Sequence, residues 1–357
     1  MRLQSLTLRS FRSYPELALD LSGASSEILI GDNGSGKTNI VEAISLLSQG
    51  RSCLKADFQD MLRFGTDFFR VRADTESDAG DVRSVECVFQ ISPRKASAFF
   101  VQDVRTPLLS FIGTLPSITF LPQDLDLFTG APSGRRGFLD ALLCQLTPDF
   151  ASLRLEYERI LKQRNALLRR IGAGESPASD LDIWDDQLAA SGTSVRERRA
   201  RVLTKIAELL PAELARLGEE FSTLTIEVTA GTGDLLSDLR AGRPKDLILQ
   251  TTTNGPHRDD WKILADGHSI GPFLSRGQQR AALLALLFVS AALFSTIRKE
   301  KPVILLDDVL SELDEGHQKA LLKHLKDHQV FLTTTHPIPQ VTGLRTWDVR
   351  EGSVTVA

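Results

Sequence analysis

The stretch Gly31-Asp32-Asn33-Gly34-Ser35-Gly36-Lys37-Thr38 constrains this chain more than any other part of it. It fits G-x-x-x-x-G-K-[ST] in full and lies between the β-like run "SEILI" and a helical pattern that starts at about Thr38. Such a loop grips phosphate only where a strand hands it to a helix. Its glycines let backbone N–H groups turn inward around the phosphates, and the helix N-terminus adds partial positive charge. Lys37 is then expected to reach the β- and γ-phosphates of ATP, with the Thr38 hydroxyl on Mg²⁺. The loop names the fuel and leaves the work open.

The run "KPVILLDDVLSELD" supplies the second half of a phosphate site. The apolar residues Val303 to Leu306 read as a buried strand that delivers Asp307 and Asp308 at its C-terminal end, where ligands bind in parallel α/β sheets. Asp307 is expected to hold Mg²⁺ through water, and Asp308 to orient or deprotonate the attacking water. Paired aspartates also start helices well, so this reading leans on the phosphate loop. A third motif, "FLSRGQQRAALLALL", opens a helix at Ser275-Arg276-Gly277-Gln278. With Leu274 before it, it differs from the L-S-G-G-Q signature of ABC-type ATPases only in having Arg276 for the first glycine. A helix start bearing Ser and Gly is a second anion site, and one phosphate loop has no need of another for the same phosphate. The economical explanation is a head-to-tail homodimer in which this site serves the partner's nucleotide. Two smaller features agree with that class, and a third, Gln123, is open. Ser311 and Asp314 of "SELD" sit where ABC ATPases have the loop that crosses the dimer interface. His336, ending "VFLTTTH", stands where a switch histidine senses the γ-phosphate, or is a strand-end surface residue. Gln123 in "FLPQDL" is either a lobe-linking glutamine or part of an ordinary turn.

At 357 residues, with 42% hydrophobic and 25% charged side chains, the chain has room for one large domain or two ordinary ones. A net charge of −4 means that any DNA site has to be a local patch. The N-terminus carries charges where a signal peptide needs its apolar stretch, and no uninterrupted apolar run approaches the roughly 20 residues that cross a bilayer. A cytoplasmic protein with no membrane segment is expected. Cys53, Cys87 and Cys144 are scattered, which offers neither a disulfide framework nor metal-ligand spacing. Short alternating runs dominate up to about Phe120, including a hairpin turned by "ESDAGD". Helical spacing then takes over at 149–171 and 180–210, on either side of "GAGESPAS", as in an antiparallel helical hairpin. Strand-like "STLTIEVTA" and "DWKILADG" follow.

Spacing narrows the class. In an ABC transporter subunit the signature follows the loop by on the order of a hundred residues, whereas here it waits from Thr38 to Leu274. In chromosome-organising SMC proteins many hundreds of residues of coiled coil intervene, far more than this insert holds. The fold expected is therefore α/β: an ABC-type, SMC-head-like ATPase with a second, largely helical lobe. Lobe one comprises 1–115 and 299–357. Lobe two comprises 116–298, with the hairpin at about 149–210 and the signature at 274–280.

The chain resembles the RecF family of bacterial DNA-repair proteins, on "LTLRSFRSYPELALDL", "GDNGSGKTNIVEAI", "FLPQDLDLFTGAPSGRRGFLD", "GPHRDD", "LSRGQQR" and "ILLDDVLSELD". The resemblance implies an ATP-dependent dimer that binds duplex DNA beside single-stranded gaps and, with RecR and RecO, helps load RecA. Asp308 stands where many ABC ATPases have Glu, and the shorter side chain sets its carboxylate about 1.5 Å further from the water. Misplacement of about 1 Å costs on the order of a hundredfold in rate, so a slow, DNA-dependent ATPase acting as a clamp or timer is expected. A nuclease-type ABC ATPase is the alternative reading. For DNA, the hairpin offers Arg154, Arg159, Lys162, Arg164, Arg169 and Arg170 on one limb, and Arg196, Arg198, Arg199, Arg201 and Lys205 on the other. These suit sequence-blind phosphate contact, or form a solvated face with i,i+4 pairs. Arg12 and Arg51, which flank the phosphate loop in sequence, are expected to contact ATP or to link DNA to it.

Overall fold

The computed structural model describes residues 1–23, 26–231, 233–310, 313, 315–336 and 344–357. From the N-terminus, β1 (Arg2–Phe11), β2 (Tyr14–Asp20) and β3 (Ser26–Ile30) lead into the helix Lys37–Gln49. Next come β4 (Phe68–Glu76), β5 (Val82–Gln90), β6 (Ala96–Val101), β7 (Val104–Thr106) and β8 (Ser117–Phe120). A helical segment precedes β9 (Leu224–Thr229), β10 (Asp260–Ala265) and β11 (His268–Ser269). The C-terminal part carries β12 (Val303–Leu306), β13 (Val330–Thr334), β14 (Leu344–Arg350) and β15 (Ser353–Val356).

Contacts divide the chain into two compact units: Met1–Leu125 with Ala212–Glu219 and Arg276–Ala357, and Asp126–Pro211 with Glu220–Ser275. This differs from the division that the sequence suggests, with 116–298 in one lobe. Strand β8 joins the first unit because it pairs in parallel with β12. The helix Arg276–Leu293 joins it because its apolar side chains, including Ala281 to Val289, are buried and it packs on β8. Counted on to Arg298, this is a helix of 23 residues, long and apolar enough by composition to cross a membrane, yet mostly buried within the protein.

In the first unit the helix Lys37–Gln49 packs on strands of two six-stranded sheets. One is antiparallel, in the order β2-β1-β4-β5-β6-β7. The other runs β15-β14-β3-β13-β12-β8, with all but β15 parallel. Strands covered on both faces read as continuous apolar runs, and β12 is buried along its whole length. Ten of the helix's 13 residues are buried, among them the polar Lys37, Glu42, Ser45 and Ser48. The β4–β5 hairpin turns at 77–81, within the polar run expected to turn it. Strands β14 and β15 lack a comparable signal in the sequence. Pairing of β14 beside β3 carries Arg345 and Trp347 to the fully buried Glu27, which accepts hydrogen bonds from both.

The second unit is built on the helix Pro148–Gly172 and on the helix Leu181–Arg216 as far as Pro211, each close to its expected bounds. Proline at the first helical position suits the start of the first, and Gly174 at φ 77° turns the chain between them. The helix Leu235–Leu249 and the antiparallel β9, β10 and β11 complete the unit. Buried positions of the first hairpin helix follow the 3.6 period through Phe150, Tyr157, Ile160, Arg164 and Leu167. Arg164 thus lies on the apolar stripe, completely buried, bonded to Asp185 at 2.6 Å and Asp246 at 2.7 Å.

One loop of this unit makes a pH prediction. His257 presents Nε2 to the Thr252 carbonyl at 3.1 Å and Nδ1 to the Tyr157 hydroxyl at 2.5 Å. A carbonyl only accepts, so Nε2 carries a proton, and in the neutral ring Nδ1 then accepts from the Tyr157 hydroxyl. Burial lowers the His257 pKa, and the neighbouring Arg258 and Arg136 push the same way. The unfolded chain therefore takes up a proton near pH 6.5 that the folded unit still refuses. Stability is expected to fall as pH drops from about 6.5 to the depressed folded value and then to level off. Urea titrations between pH 7.5 and 5 check this: the decline should shrink in His257→Asn.

Candidate functional site

Parallel pairing brings four strand ends to one edge of the first unit. There β3 ends at Ile30 before the phosphate loop, β12 at Leu306 before Asp307, β13 at Thr334 and β8 at Phe120 before Pro122. The crevice beyond the carboxyl ends of such strands is where ligands bind. It is a cleft of about 260 Å³ lined by Asn33, Gly34, Gly36, Lys37, Thr38, Asn39, Pro122, Asp307, Asp308 and Thr333. Residues nearly three hundred positions apart in sequence meet here.

The loop's shape follows from its glycines. Gly36 stands at φ 113°, and a Cβ there would lie 2.7 Å from the Tyr14 hydroxyl. Tyr14 itself donates to the Gly36 carbonyl at 3.1 Å, and Asn39 donates to the Ser13 hydroxyl, so the turn between β1 and β2 braces the loop from behind. Gly31, Ser35 and Gly36 are inside or half inside, while Asp32, Asn33 and Gly34 face solvent. The Lys37 ammonium donates to the Gly31 carbonyl at 2.6 Å and the Asp32 carbonyl at 2.8 Å. Burial lowers its pKa, against the pull of Asp307, Asp308 and Asp32. An ammonium resting on two neutral carbonyls gains by exchange for a charged phosphate oxygen.

The carboxylates are held as tightly. Thr38 Oγ1 lies 3.0 and 2.9 Å from the two Asp307 oxygens, and the Thr333 hydroxyl donates to Asp307 at 2.7 Å. Thr333 also accepts from the Asp308 backbone N–H at 2.9 Å, so one hydroxyl orients both aspartates. Asp308 sits at φ 49°, a left-handed conformation that Asp tolerates better than most residues. Thr333 opens the "TTTH" run, in which only the histidine stands out in the sequence; a hydroxyl at that strand end is the signal that could have found it. A hydroxyl beside a carboxylate is the hard-oxygen donor set that Mg²⁺ takes when most of its remaining ligands are water and phosphate, so Thr38 and Asp307 fit that ion.

Other candidates fall elsewhere. Arg12 does not line the cleft: its guanidinium forms a double bond pair, each 2.7 Å, with the buried Glu42, and its third nitrogen donates to the Asp60 carbonyl. The Glu42 hydrogen bond raises its pKa. Gln123 is exposed next to the lining residue Pro122, and Arg51 is exposed. His336 is exposed at the end of β13, where its backbone N–H donates to Thr334 Oγ1. Ser311 and Asp314 lie outside the described residues. In the signature, Leu274 is buried, Ser275, Arg276 and Gly277 are exposed, and Gln278 donates to Glu219 at 3.1 Å. None of the five lines the cleft.

The hairpin arginines divide into those bonded within the protein and those left exposed. Arg164 is sealed inside, and Arg199 is spent on Asp140, at 2.9 Å through both nitrogens, and on the Pro256 carbonyl. Arg196 forms an equivalent pair with Asp259, and Arg198 is tied to Asp149 at 2.5 Å. Arg164 and Arg199 therefore cannot serve the DNA contact expected of them, because buried guanidiniums must be paired. Arg169, Arg170 and Arg201 remain exposed.

A parallel sheet bearing this loop and aspartate pair, an antiparallel sheet beside it and a signature motif opening a core helix define an ABC-type ATPase of the SMC-head kind. An Smc head bound to the C-terminal winged helix of ScpA shares the fold at TM-score 0.59 and 15% identity, covering 100% of this chain and 98% of that one. The chain belongs to the RecF family of DNA replication and repair proteins. The family model "RecF/RecN/SMC N terminal domain" matches residues 2–344. The RecF of Moorella thermoacetica is 36% identical over 359 residues, 99% of this chain and 96% of the relative. A recombination mediator protein RecF of the RecFOR pathway, solved as RecF-ATP, superposes at TM-score 0.90 with 28% identity, covering 99% and 97% of the two chains.

Proposed function

We propose that this protein is an ATP-switched dimer that binds DNA in recombinational repair, closing on duplex beside single-stranded gaps and releasing it on slow hydrolysis. RecR and RecO are its partners in this reading, and RecA loading is the outcome. The observation that carries it is the exposed start of the signature helix. Ser275, Arg276 and Gly277 are exposed at that helix start and lie outside the chain's own cleft, which suits the nucleotide of a second copy.

The chemistry follows from the cleft's own groups. ATP phosphates replace the carbonyls on the Lys37 ammonium, and loop N–H groups take up the remaining oxygens. Thr38 and Asp307 would hold Mg²⁺, which supplies charge neutralisation on the β- and γ-oxygens. Asp308, fixed through its N–H to Thr333, orients the attacking water and accepts its proton. Its short side chain reaches that water poorly, so turnover is slow and the closed dimer persists.

Light scattering tests the dimer. With ATP and Mg²⁺ the mass should double, with ADP it should not, and Ser275→Arg should stay monomeric because a bulky cation fills the serine's place against the partner's γ-phosphate. A mass indifferent to ATP, even with gapped duplex present, would sink the proposal.

A further inference from the structure

The segment Gly255 to Asp260 of the second unit is held by side chains from several elements of that unit. Gly255 stands at φ 132°, and a Cβ there would come within 2.6 Å of the Tyr157 hydroxyl. The Arg258 N–H closes a turn on the Gly255 carbonyl at 2.8 Å. Arg199 donates to the Pro256 carbonyl at 2.6 Å and Arg136 to the Asp259 carbonyl at 2.8 Å. Asp259 and Asp260 are each clasped through both oxygens, by Arg196 and Arg135. Of residues 255–261, only Arg258 is exposed.

The charges do not balance. Arg135 pairs with Asp260, Arg196 with Asp259 and Arg199 with Asp140, and this uses all three carboxylates at the loop. Arg136 and Arg258 have no carboxylate within ion-pair distance among the described residues. Arg136 is half-buried beside Arg199, and burial together with that neighbour lowers its pKa, against the longer-range pull of Asp260, Asp140 and Asp259. Both arginines lower the pKa of the His257 ring. A fold that neutralises three guanidiniums around this loop and leaves Arg136 and Arg258 without a carboxylate partner among the described residues has prepared a place for an anion.

We infer that Arg136 and Arg258 form a phosphate-contact site for the nucleic-acid backbone, pre-organised by the 255–260 loop. This rests on the DNA-binding reading above and names residues for it. Guanidiniums match phosphodiester oxygens in geometry, and such contacts are blind to sequence. The loop's apolar groups, Pro256 and Trp261, are buried, so it offers none of the anchors that a protein partner uses.

The test is the affinity of the full chain, with ATP and Mg²⁺, for a fluorescent gapped duplex between 50 and 200 mM salt. Each lost phosphate contact reduces the salt slope by about 0.9, or about 3.5-fold in the ratio of affinities across that range. Arg258→Ala should show that loss, Arg136→Ala with Arg258→Ala about 12-fold, and Arg258→Lys should recover most of it. Arg258 makes no side-chain hydrogen bond or ion pair among the described residues, so its variant tests the site even if loss of Arg136 unsettles the loop. Unchanged slope and affinity in Arg258→Ala, with wild type binding normally, would overturn the site and leave the DNA reading standing. A wild type that fails to bind gapped duplex removes both. If the variants keep full DNA binding but lose a polyglutamate peptide, the site takes acidic protein and the inference is wrong.

Discussion

Arg164→Ala is expected to destabilise the second unit by about 3–5 kcal/mol, because it strands two fully buried carboxylates. Asp185 keeps Arg243 at 2.6 Å, and Asp246 keeps the Thr253 backbone and hydroxyl, so neither is left wholly bare. That residual support places the effect toward the lower end of the range. Urea unfolding followed by Trp184 and Trp261 fluorescence measures it, since both tryptophans belong to this unit. The same variant separates two views of the residue. As a phosphate contact it would weaken DNA binding and leave the unfolding midpoint alone. As a core ion pair it lowers the midpoint, and DNA affinity changes only as the fold is lost. A midpoint equal to that of the wild type would refute the buried network.

Asp308→Asn should reduce single-turnover hydrolysis by about 10²- to 10⁴-fold while leaving ATP affinity nearly unchanged. Asn keeps the side chain's shape and tolerates φ 49° as well as Asp does, so the backbone bond to Thr333 should survive. What goes is the carboxylate that takes the proton. With release blocked, the ATP-bound dimer should outlast that of the wild type in light scattering. Filter-bound nucleotide separates binding from chemistry. An Asn variant that hydrolyses at the wild-type rate would remove Asp308 from the base role, and one that no longer binds ATP would show that the charge holds the site together instead.

Features carried by consecutive residues are legible in the sequence. The phosphate loop is a backbone conformation written by adjacent glycines, and β12 announces itself because a strand buried on both faces cannot be polar. Hence Lys37, Thr38, Asp307 and Asp308 can be read directly, and parallel pairing sets them around one cleft. Arg164 is partly legible too: its spacing from Tyr157, Ile160 and Leu167 places it on the buried stripe, which a count of positive charges along the hairpin overlooks. Whether an arginine is free depends on carboxylates 21 to 125 positions away, such as Asp185 for Arg164 and Asp260 for Arg135, and local pattern does not reveal these. The same holds for Thr333 on Asp307 and Glu42 on Arg12. The sequence by itself determined which chemistry this protein carries, because that chemistry needs particular residue types in unbroken order. Tertiary structure alone decided which charges are spent inside and which face outward, because a charge is neutralised by whatever lies within a few ångströms, however distant along the chain.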